Sequence, residues 1–457
     1  MKKYLMLGLF SFLLGGMVFF MDSVNGKESI ADPEIALEDP ELDAGIDAWM
    51  KGNVEKCFQL FERAWKKNPD LSPPDVLIAL LYSNTKHYEE VRKHLEKAAF
   101  EHSSDPEAWF QLAGIAIQEK RLVEAGLLIE RGEKILNTAD PDRKSSESRK
   151  RYFQQELLTL KANLAENQNH LDKAEKYVQK IVDEDPENDE AWLSLGYLCF
   201  KQKNFEEAKK AFDRAAKYNT KRLPGILVLA LLQEQEGNTK EAKEAIDSMS
   251  AADLEDSRIL GPVVRLWMKW EKMEEAEKKI AQLQKMFPNA AMPWILEGEY
   301  DLYHHQYRPA EDAFRKAITI DSENVEANNG LALALCDQGN QTKLKQAREI
   351  AEKNWERSYR TQETSTTYAW ILFLSGEKKE ADSLFEIMLQ SGKINSPIAY
   401  YLAEIAYSKG DKNLALNFLD LALESESNFP KKEAARELVK IVEENLEKEK
   451  KEANESR

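Results

Sequence analysis

The residues best suited to chemistry are six histidines and three cysteines, and their spacing argues against most of it. Cys57, Cys199 and Cys336 lie far apart at apolar helical positions, whereas a redox or zinc pair of the CxxC kind has only two residues between its thiols. They read as buried free thiols, because a disulfide would require distant segments to meet. His87 and His94 stand two turns apart, and His304-His305 follows Tyr303. A metal site needs convergent ligands in a dry pocket, and nothing in the pattern supplies one, so these imidazoles read as solvated. Gly26-Lys27 is followed by Glu28, not Ser or Thr, so it is not a phosphate loop. HExxH, GxSxG and dinucleotide fingerprints are absent from the sequence. Acidic residues lie on polar helix faces near Lys at i+4, as with Glu206 and Lys210, which is charge pairing on a solvated surface. No catalytic residue, cofactor or metal is expected, and the chain reads as a non-enzyme that acts by binding.

What binds must therefore be a surface, and the elements that build it are visible from Asp189 to Arg222. Trp192, Leu195 and Cys199 share one helical face; after the polar turn Lys203-Asn204, Phe205, Ala208, Phe212 and Ala215 share another. Gly196 and Ala208 are small where two antiparallel helices touch. A pair this short cannot bury both faces alone and needs neighbours. Stepping from Ala208 gives Ala242, Ala276 and Ala310 at 34 residues each, then Ala347 after 37, then Ala381 and Ala415 at 34. Backwards come Ala174 at 34, Ala125 after 49, and Val91 and Cys57 at 34. An apolar residue stands four places after every marker, among them Phe61, Ile129, Phe212, Ile280, Phe314 and Leu419. Pro69, Pro186 and Pro288 close units by stopping the second helix.

Trp192, Leu195, Gly196, Ala208, Phe212 and Ala215 carry a resemblance to the tetratricopeptide repeat family. The set recurs, with gaps, as Trp109, Leu112, Ala125 and Ile129, and as Trp294, Gly298, Ala310, Phe314 and Ala317. The resemblance covers roughly residues 38 to 429. It implies an all-α fold, a right-handed superhelical solenoid of about eleven stacked helix-turn-helix units, and protein or peptide binding in a concave groove. The pattern fades where Cys57 replaces the small alanine and at the 37-residue step.

The chain then divides as follows. Residues 1–26 are a targeting segment: Lys2 and Lys3 precede an apolar run from Tyr4 to Phe20, and Val24-Asn25-Gly26 suits cleavage before Lys27. Two readings stay open, a cleaved signal peptide or a retained membrane anchor through residues 4–20. Either places the repeats outside the cytoplasm, in the periplasm or beyond. Residues 27–37 are an acidic linker, 38–136 hold units 1–3, 137–154 are a polar insertion, 155–429 hold units 4–11, 430–451 form a capping helix and 452–457 a disordered tail. A terminal cap is what a solenoid needs, apolar on one side and polar on the other, and Ala434, Leu438, Ile441, Val442 and Leu446 supply its stripe. A coiled-coil partner helix is the rival reading. Arg143, Lys144, Arg149, Lys150 and Arg151 form a basic island, either a docking point for an acidic partner or a solvated loop and helix start. The net charge of −17 argues against nucleic acid as partner, and membrane contact is expected only through residues 4–20.

The resemblance also implies a binding surface on the second, fifth, ninth and twelfth positions of each first helix. In the unit from Asp189 these are Glu190, Leu193, Tyr197 and Phe200; elsewhere they include Phe110, Ile117, Leu227, Met268 and Ile295. The family's Lys-Asn-Arg clamp for a C-terminal carboxylate is missing from the matching positions. Two aromatic groups stand out instead: Tyr197 with Phe200, and Trp370, Phe373, Tyr400 and Tyr407. Such rings carry much of the energy of protein–protein contacts, so they are the candidate partner-binding residues. The competing expectation is that successive first helices bury them against each other.

Overall fold

The computed structural model describes residues 39–455 apart from residues 86, 139–144, 251–255, 359–360, 391–393 and 425–427. The targeting segment, the acidic linker and two members of the basic island, Arg143 and Lys144, lie outside the described residues. Every regular element among them is a helix. Eleven helical pairs follow in order: α1 Pro40–Met50 with α2 Val54–Lys67, α3 Pro74–Asn84 with α4 Tyr88–Glu101, α5 Glu107–Gln118 with α6 Leu122–Leu136, and α7 Glu147–Asn167 with α8 Leu171–Glu184. Next come α9 Asp189–Lys201 with α10 Phe205–Tyr218, α11 Gly225–Gln235 with α12 Thr239–Asp247, and α13 Ser257–Lys269 with α14 Met273–Met286. The last are α15 Met292–Tyr303 with α16 Tyr307–Ile320, α17 Val325–Cys336 with α18 Gln341–Arg357, α19 Gln362–Leu374 with α20 Lys378–Gln390, and α21 Ser396–Ser408 with α22 Lys412–Leu423, before the single helix α23 Lys432–Glu455. None of the described helices is long and apolar enough to cross a membrane.

The phase read from the sequence is the phase of the packing. Ten of the eleven marker residues, from Cys57 to Ala415, have no accessible surface, and Val91 has 5%. The residues four places later are all buried, Phe212 and Phe314 completely. Gly196 shows why the first helix must also be small there: a Cβ on it would lie 2.4 Å from Phe212 Cε1. Gly298 and Gly330 flank the Phe314 ring in the same way, with Cβ distances of 2.7 and 2.3 Å to Cζ. The large side chain sits on the second helix and the first helices leave room for it.

Ten of the hairpins turn through a described residue with positive φ, and in five successive ones the position repeats at 34: Lys203 (62°), Gly237 (80°), Glu271 (60°), His305 (56°) and Gly339 (65°). The left-handed residue lets the next amide reach back, as Asn204 N does to Cys199 O at 2.9 Å and Gln306 N to Asp301 O at 2.8 Å. These bonds satisfy carbonyls that a helix end leaves unpaired.

A second repeated device holds the tryptophans. Trp109, Trp192 and Trp294 are half-buried, and each has a cation 22 residues later over its ring: Arg131 at 5.6 Å, Arg214 at 5.9 Å and Lys316 at 3.3 Å. Trp192 and Trp294 also donate Nε1 to the carbonyls of Pro186 and Pro288, at 2.8 and 3.3 Å. The proline that closes one unit thereby anchors the first helix of the next.

Contacts divide the chain at residues 229 and 230, inside α11. In unit 1, Phe110, Ile129, Phe153 and Leu160 form one core with Ala113 and Ala125. In unit 2 a single apolar cluster runs from Ile295 to Val442 and takes in α23 through Ala435, Leu438 and Val442. The cap is thus seated, but its stripe is rotated from the expected one: Ala435 is buried and Ile441 is 46% exposed. The helix also continues over 452–455, where a disordered tail was expected, because its Glu, Lys and Ala residues are strong helix formers.

Gly196→Ala gains helix propensity yet should lower stability, by about 1–3 kcal/mol, because the methyl has no room beside Phe212. Adding Phe212→Leu should recover part of that loss in a double-mutant cycle read by thermal melts. Simple additivity would mean that the two residues do not meet.

Candidate functional site

Unit 2 gathers the larger aromatic group. Trp370 and Tyr400 are 6% and 5% exposed, so both belong to the core and present almost nothing to a partner. Trp370 stacks on Tyr401 at 4.6 Å and on half-buried Phe373 at 5.6 Å, and Tyr400 lies 6.5 Å from it. The Tyr400 hydroxyl donates to Glu404 at 2.6 Å. Tyr407 is half-buried, and its hydroxyl accepts from Asn445 of α23 at 2.8 Å. The expectation of an open aromatic site on Trp370 and Tyr400 is therefore corrected. Adjacent first helices approach closely enough for their large side chains to fill the space between them. The same reason buries Phe110, Ile117, Leu227, Met268 and Ile295, which were expected on the groove floor.

A stretch of the chain's own C-terminal part lies over this region. Asn428 N donates to Lys269 O at 2.6 Å, and the Tyr303 hydroxyl donates to Asn428 O at 3.4 Å. Lys431 Nζ sits 2.6 Å from Asp337 Oδ2 and 5.3 Å from the centre of the Tyr307 ring. Phe429 is 6% exposed within the cluster that contains Trp370 and Tyr401. Burial alone would depress Lys431, but the Asp337 carboxylate outweighs it and holds the ammonium above its ordinary value. Lys269, Tyr303 and Asp337 are 34 residues apart in succession, so the segment reads the same position in three consecutive repeats. Nothing in the local sequence of 428–431 announces this contact; the only signal was Pro430, which ends the repeat pattern.

Beside it, Arg265 of α13 binds Glu299 of α15 through Nε and Nη2 at 2.8 and 3.0 Å and Glu326 of α17 at 2.7 Å. Burial opposes the guanidinium's charge, but the two carboxylates override it and raise its affinity for the proton.

In unit 1 the smaller aromatic pair is more open. Tyr197 and Phe200 are both half-buried on α9. Tyr197 meets Phe212 edge-on at 5.3 Å, and its hydroxyl has no hydrogen-bond partner among the described residues. Phe200 leans on Phe205 at 5.6 Å. Leu193 is half-buried and Glu190 exposed beside them.

Within the basic island the expected helix start is present and Arg151 is solvated, but Arg149 fits neither expectation. Arg149 is not a docking point, since its side chain is only 10% exposed. Its Nη1 donates to Asp70 O at 2.7 Å and its Nη2 to Asp105 and Glu107 at 2.8 and 3.0 Å. Ser146 caps α7 by accepting from Arg149 N at 3.1 Å, and its own amide donates to Asp70 at 2.6 Å. The start of α7 thereby stitches the loops that begin three repeats. Lys150 pairs with Glu147 at 2.9 Å on the surface, and Arg151 is exposed. Nearby Glu156 is half-buried with Oε1 lacking a hydrogen bond. Burial and then the Glu107 charge push its carboxyl up to about 7.

His94 is also corrected. It is 17% exposed and its Nδ1 lies 2.7 Å from the buried Asp75 carboxylate, so it is not solvated. Asp75, Glu101 and His102 bring one ligand atom each within 4.8 Å of one another. The Lys97 ammonium, 3.1 Å from Asp75, already neutralises that carboxylate and works against a bound cation. The three cysteines are free and buried, and burial pushes the Cys57 and Cys199 thiols up to about 12 and about 11. Neither is a nucleophile near neutral pH.

Helical hairpins stacked through one small residue per unit define an α-solenoid, a fold whose repeats serve as a protein-interaction scaffold. The tetratricopeptide repeat family model matches residues 159–222, and the hairpins before and after that stretch repeat the same helical unit. The human protein O-mannosyl-transferase TMTC3 is 23% identical over 266 residues, 54% of this chain. The chain covers 28% of that protein's length. Among solved structures, similarity extends to yeast Tom70, at 13% identity over 89% of this chain and 96% of that one, with a TM-score of 0.36. It extends also to the Cut9–Hcn1 heterotetramer of the APC/C, at 15% identity, 84% and 79% coverage and a TM-score of 0.39. A tetratricopeptide repeat protein from Parabacteroides merdae is 18% identical, with 64% and 99% coverage and a TM-score of 0.34.

Two outcomes follow from the charges. Arg149→Ala strands two buried carboxylates and should cost roughly 3–5 kcal/mol in chemical denaturation; a loss below 1 kcal/mol would place Arg149 at the surface. Glu156 keeps its proton in the folded chain to about 7, against 4.5 as the ordinary value, so stability falls as pH rises between those values. Glu156→Gln should leave stability unchanged at pH 4.5 and raise it by about 1–2 kcal/mol at pH 8. A parallel shift at both pH values would sink the assignment.

Proposed function

We propose that the chain is an exported interaction scaffold that binds a partner protein or peptide on the face formed by its first helices. It performs no chemistry of its own; association with a preorganised surface is the whole mechanism, and rigid stacking keeps its entropic cost low. The observation that supports this most is the seating of Asn428–Lys431 across Lys269, Tyr303 and Asp337. A repeat surface that holds one non-helical segment through main-chain bonds, a ring and an ion pair has the chemistry to hold another. The half-buried pair Tyr197 and Phe200 is the second contact point, with an unpartnered phenol to offer.

Export rests on the Lys2-Lys3 start and the apolar run that follows. A cleaved leader gives a periplasmic or secreted scaffold. A retained run makes the chain an anchored assembly factor for envelope or secretion machinery, a reading that the 17-residue length of Tyr4 to Phe20 keeps in play. Fractionation separates the two: protein in the soluble envelope fraction supports cleavage, and protein released only by detergent supports the anchor.

The deciding experiment is a cross-linked pull-down from the native cell envelope with the parent and with Tyr197→Ala/Phe200→Ala. A defined partner that disappears with the still-folded variant is expected. Identical partners in both would remove the first-helix face of α9 from the binding surface.

A further inference from the structure

Asn428–Lys431 is held in a way that distinguishes it from the rest of the cap. The body of α23 has its own anchorage: Ala435, Leu438 and Val442 are buried, Asn445 donates to Tyr407, and Glu449 pairs with Lys412 at 2.5 Å. Of these anchors only Ala435 is tied to the segment before Lys432, through its amide bond to Lys431 O at 2.9 Å. The segment accepts two bonds from the first turn of α23, Lys432 N to Phe429 O at 3.0 Å and Ala435 N to Lys431 O at 2.9 Å, and is otherwise held by one main-chain bond to Lys269, one bond from Tyr303, the Phe429 ring, and the Lys431–Asp337 pair over Tyr307. It can therefore leave its place by fraying the first turn of α23 while the body of the cap stays seated through Leu438, Val442 and Asn445. What remains is a slot lined by a free carbonyl, a phenol, an aromatic cluster and the carboxylate of Asp337, whose side chain is 10% exposed. A buried carboxylate without its cation is costly, so an empty slot recruits a positive charge.

The contacts are also ordered along the solenoid. The main chain of Asn428 is read at Lys269 and Tyr303, and Lys431, three residues later, is read at Tyr307 and Asp337. Phe429 lies between these polar points. Such an arrangement selects a short pattern: an aromatic residue followed two places later by lysine, with proline between to keep the backbone out of a helix. A free amide before the aromatic residue completes it.

We propose that the slot between Lys269, Tyr303, Tyr307 and Asp337 is a peptide-binding site for an aromatic-Pro-Lys segment of a partner protein, and that Asn428–Lys431 is its built-in occupant. This deepens the scaffold reading by naming the partner's chemistry and rests on that reading. Tethering gives the internal segment an effective concentration of roughly millimolar, so a partner must exceed it by affinity or by added contacts elsewhere on the solenoid. The slot thus admits a strong partner and refuses weak ones.

The test uses a fluorescent peptide, Glu-Ser-Glu-Ser-Asn-Phe-Pro-Lys-Lys-Glu, which reproduces residues 424–433. It is titrated against the parent chain, the Phe429→Ala/Lys431→Ala variant, and that variant carrying Asp337→Asn. The vacated variant should bind the peptide about 100-fold more tightly than the parent, and Asp337→Asn should remove most of that gain. A peptide with its first Lys changed to Glu should not bind. A vacated variant with the parent's helix content and melt that ignores the peptide overturns the proposal. A measurement on the parent guards against a variant that fails to fold. Millimolar peptide should accelerate hydrogen exchange at 428–435 while leaving 438–446 protected, and no acceleration overturns the proposal equally. Failure here leaves the Tyr197 and Phe200 pull-down untouched, so the slot can fail while the scaffold stands.

Discussion

The close approach of two helices at one small side chain per repeat is the contact on which this structure depends. At Ala208 the second helix sits against the first, and Phe212, one turn on, fills the space that Gly196 leaves open. Neither helix could be larger there without parting the pair. Once the hairpin is closed, both of its outer faces remain apolar, so the next hairpin is recruited by burial of those faces. Length then grows by repetition. The 37-residue step is tolerated because its extra residues lengthen α18 at its start, and both long steps leave the crossing residues Ala347 and Ala174 fully buried.

Burial alone would let repeats slide, and polar contacts of long reach fix them. Arg149 joins loops from three repeats, and Arg265 joins the first helices of three others. A guanidinium suits both places because its planar fork bonds several oxygens at once and stays charged despite desolvation. In three units the cation–tryptophan pairs spaced at 22 residues do a lighter version of the same work. These contacts are strong where dry and weak where wet, which is why Arg149 matters and Lys150, pairing in solvent one residue later, does not.

The aromatic residues illustrate how one surface serves both packing and binding. Trp370, Tyr400 and Tyr401 interlock between neighbouring first helices, and Phe429 completes their cluster from another part of the chain. These rings are thus satisfied internally, and at the edge of the cluster Asp337, Tyr307 and the Lys269 carbonyl meet the segment. In unit 1 no such segment is described over Tyr197, and its phenol stays unpartnered.

The sequence by itself determined the repeat, its period and its phase. Ala208 and its equivalents are spaced by helix geometry and by the length of a hairpin, and both are local properties that a 34-residue window contains. The all-α class, the eleven pairs, the buried thiols and a terminal cap follow from that spacing. The partners of Arg149, up to 79 residues away, the bond between His94 and Asp75, and the seating of Asn428–Lys431 on positions 94 to 159 residues earlier were decided by tertiary structure alone. The same is true of the burial of Trp370 and Tyr400. A ring at a first-helix position looks identical in sequence whether the neighbouring helix covers it or solvent does, because exposure depends on how closely the next repeat approaches. Periodicity states which face a residue occupies; only the packed neighbour states whether that face is free.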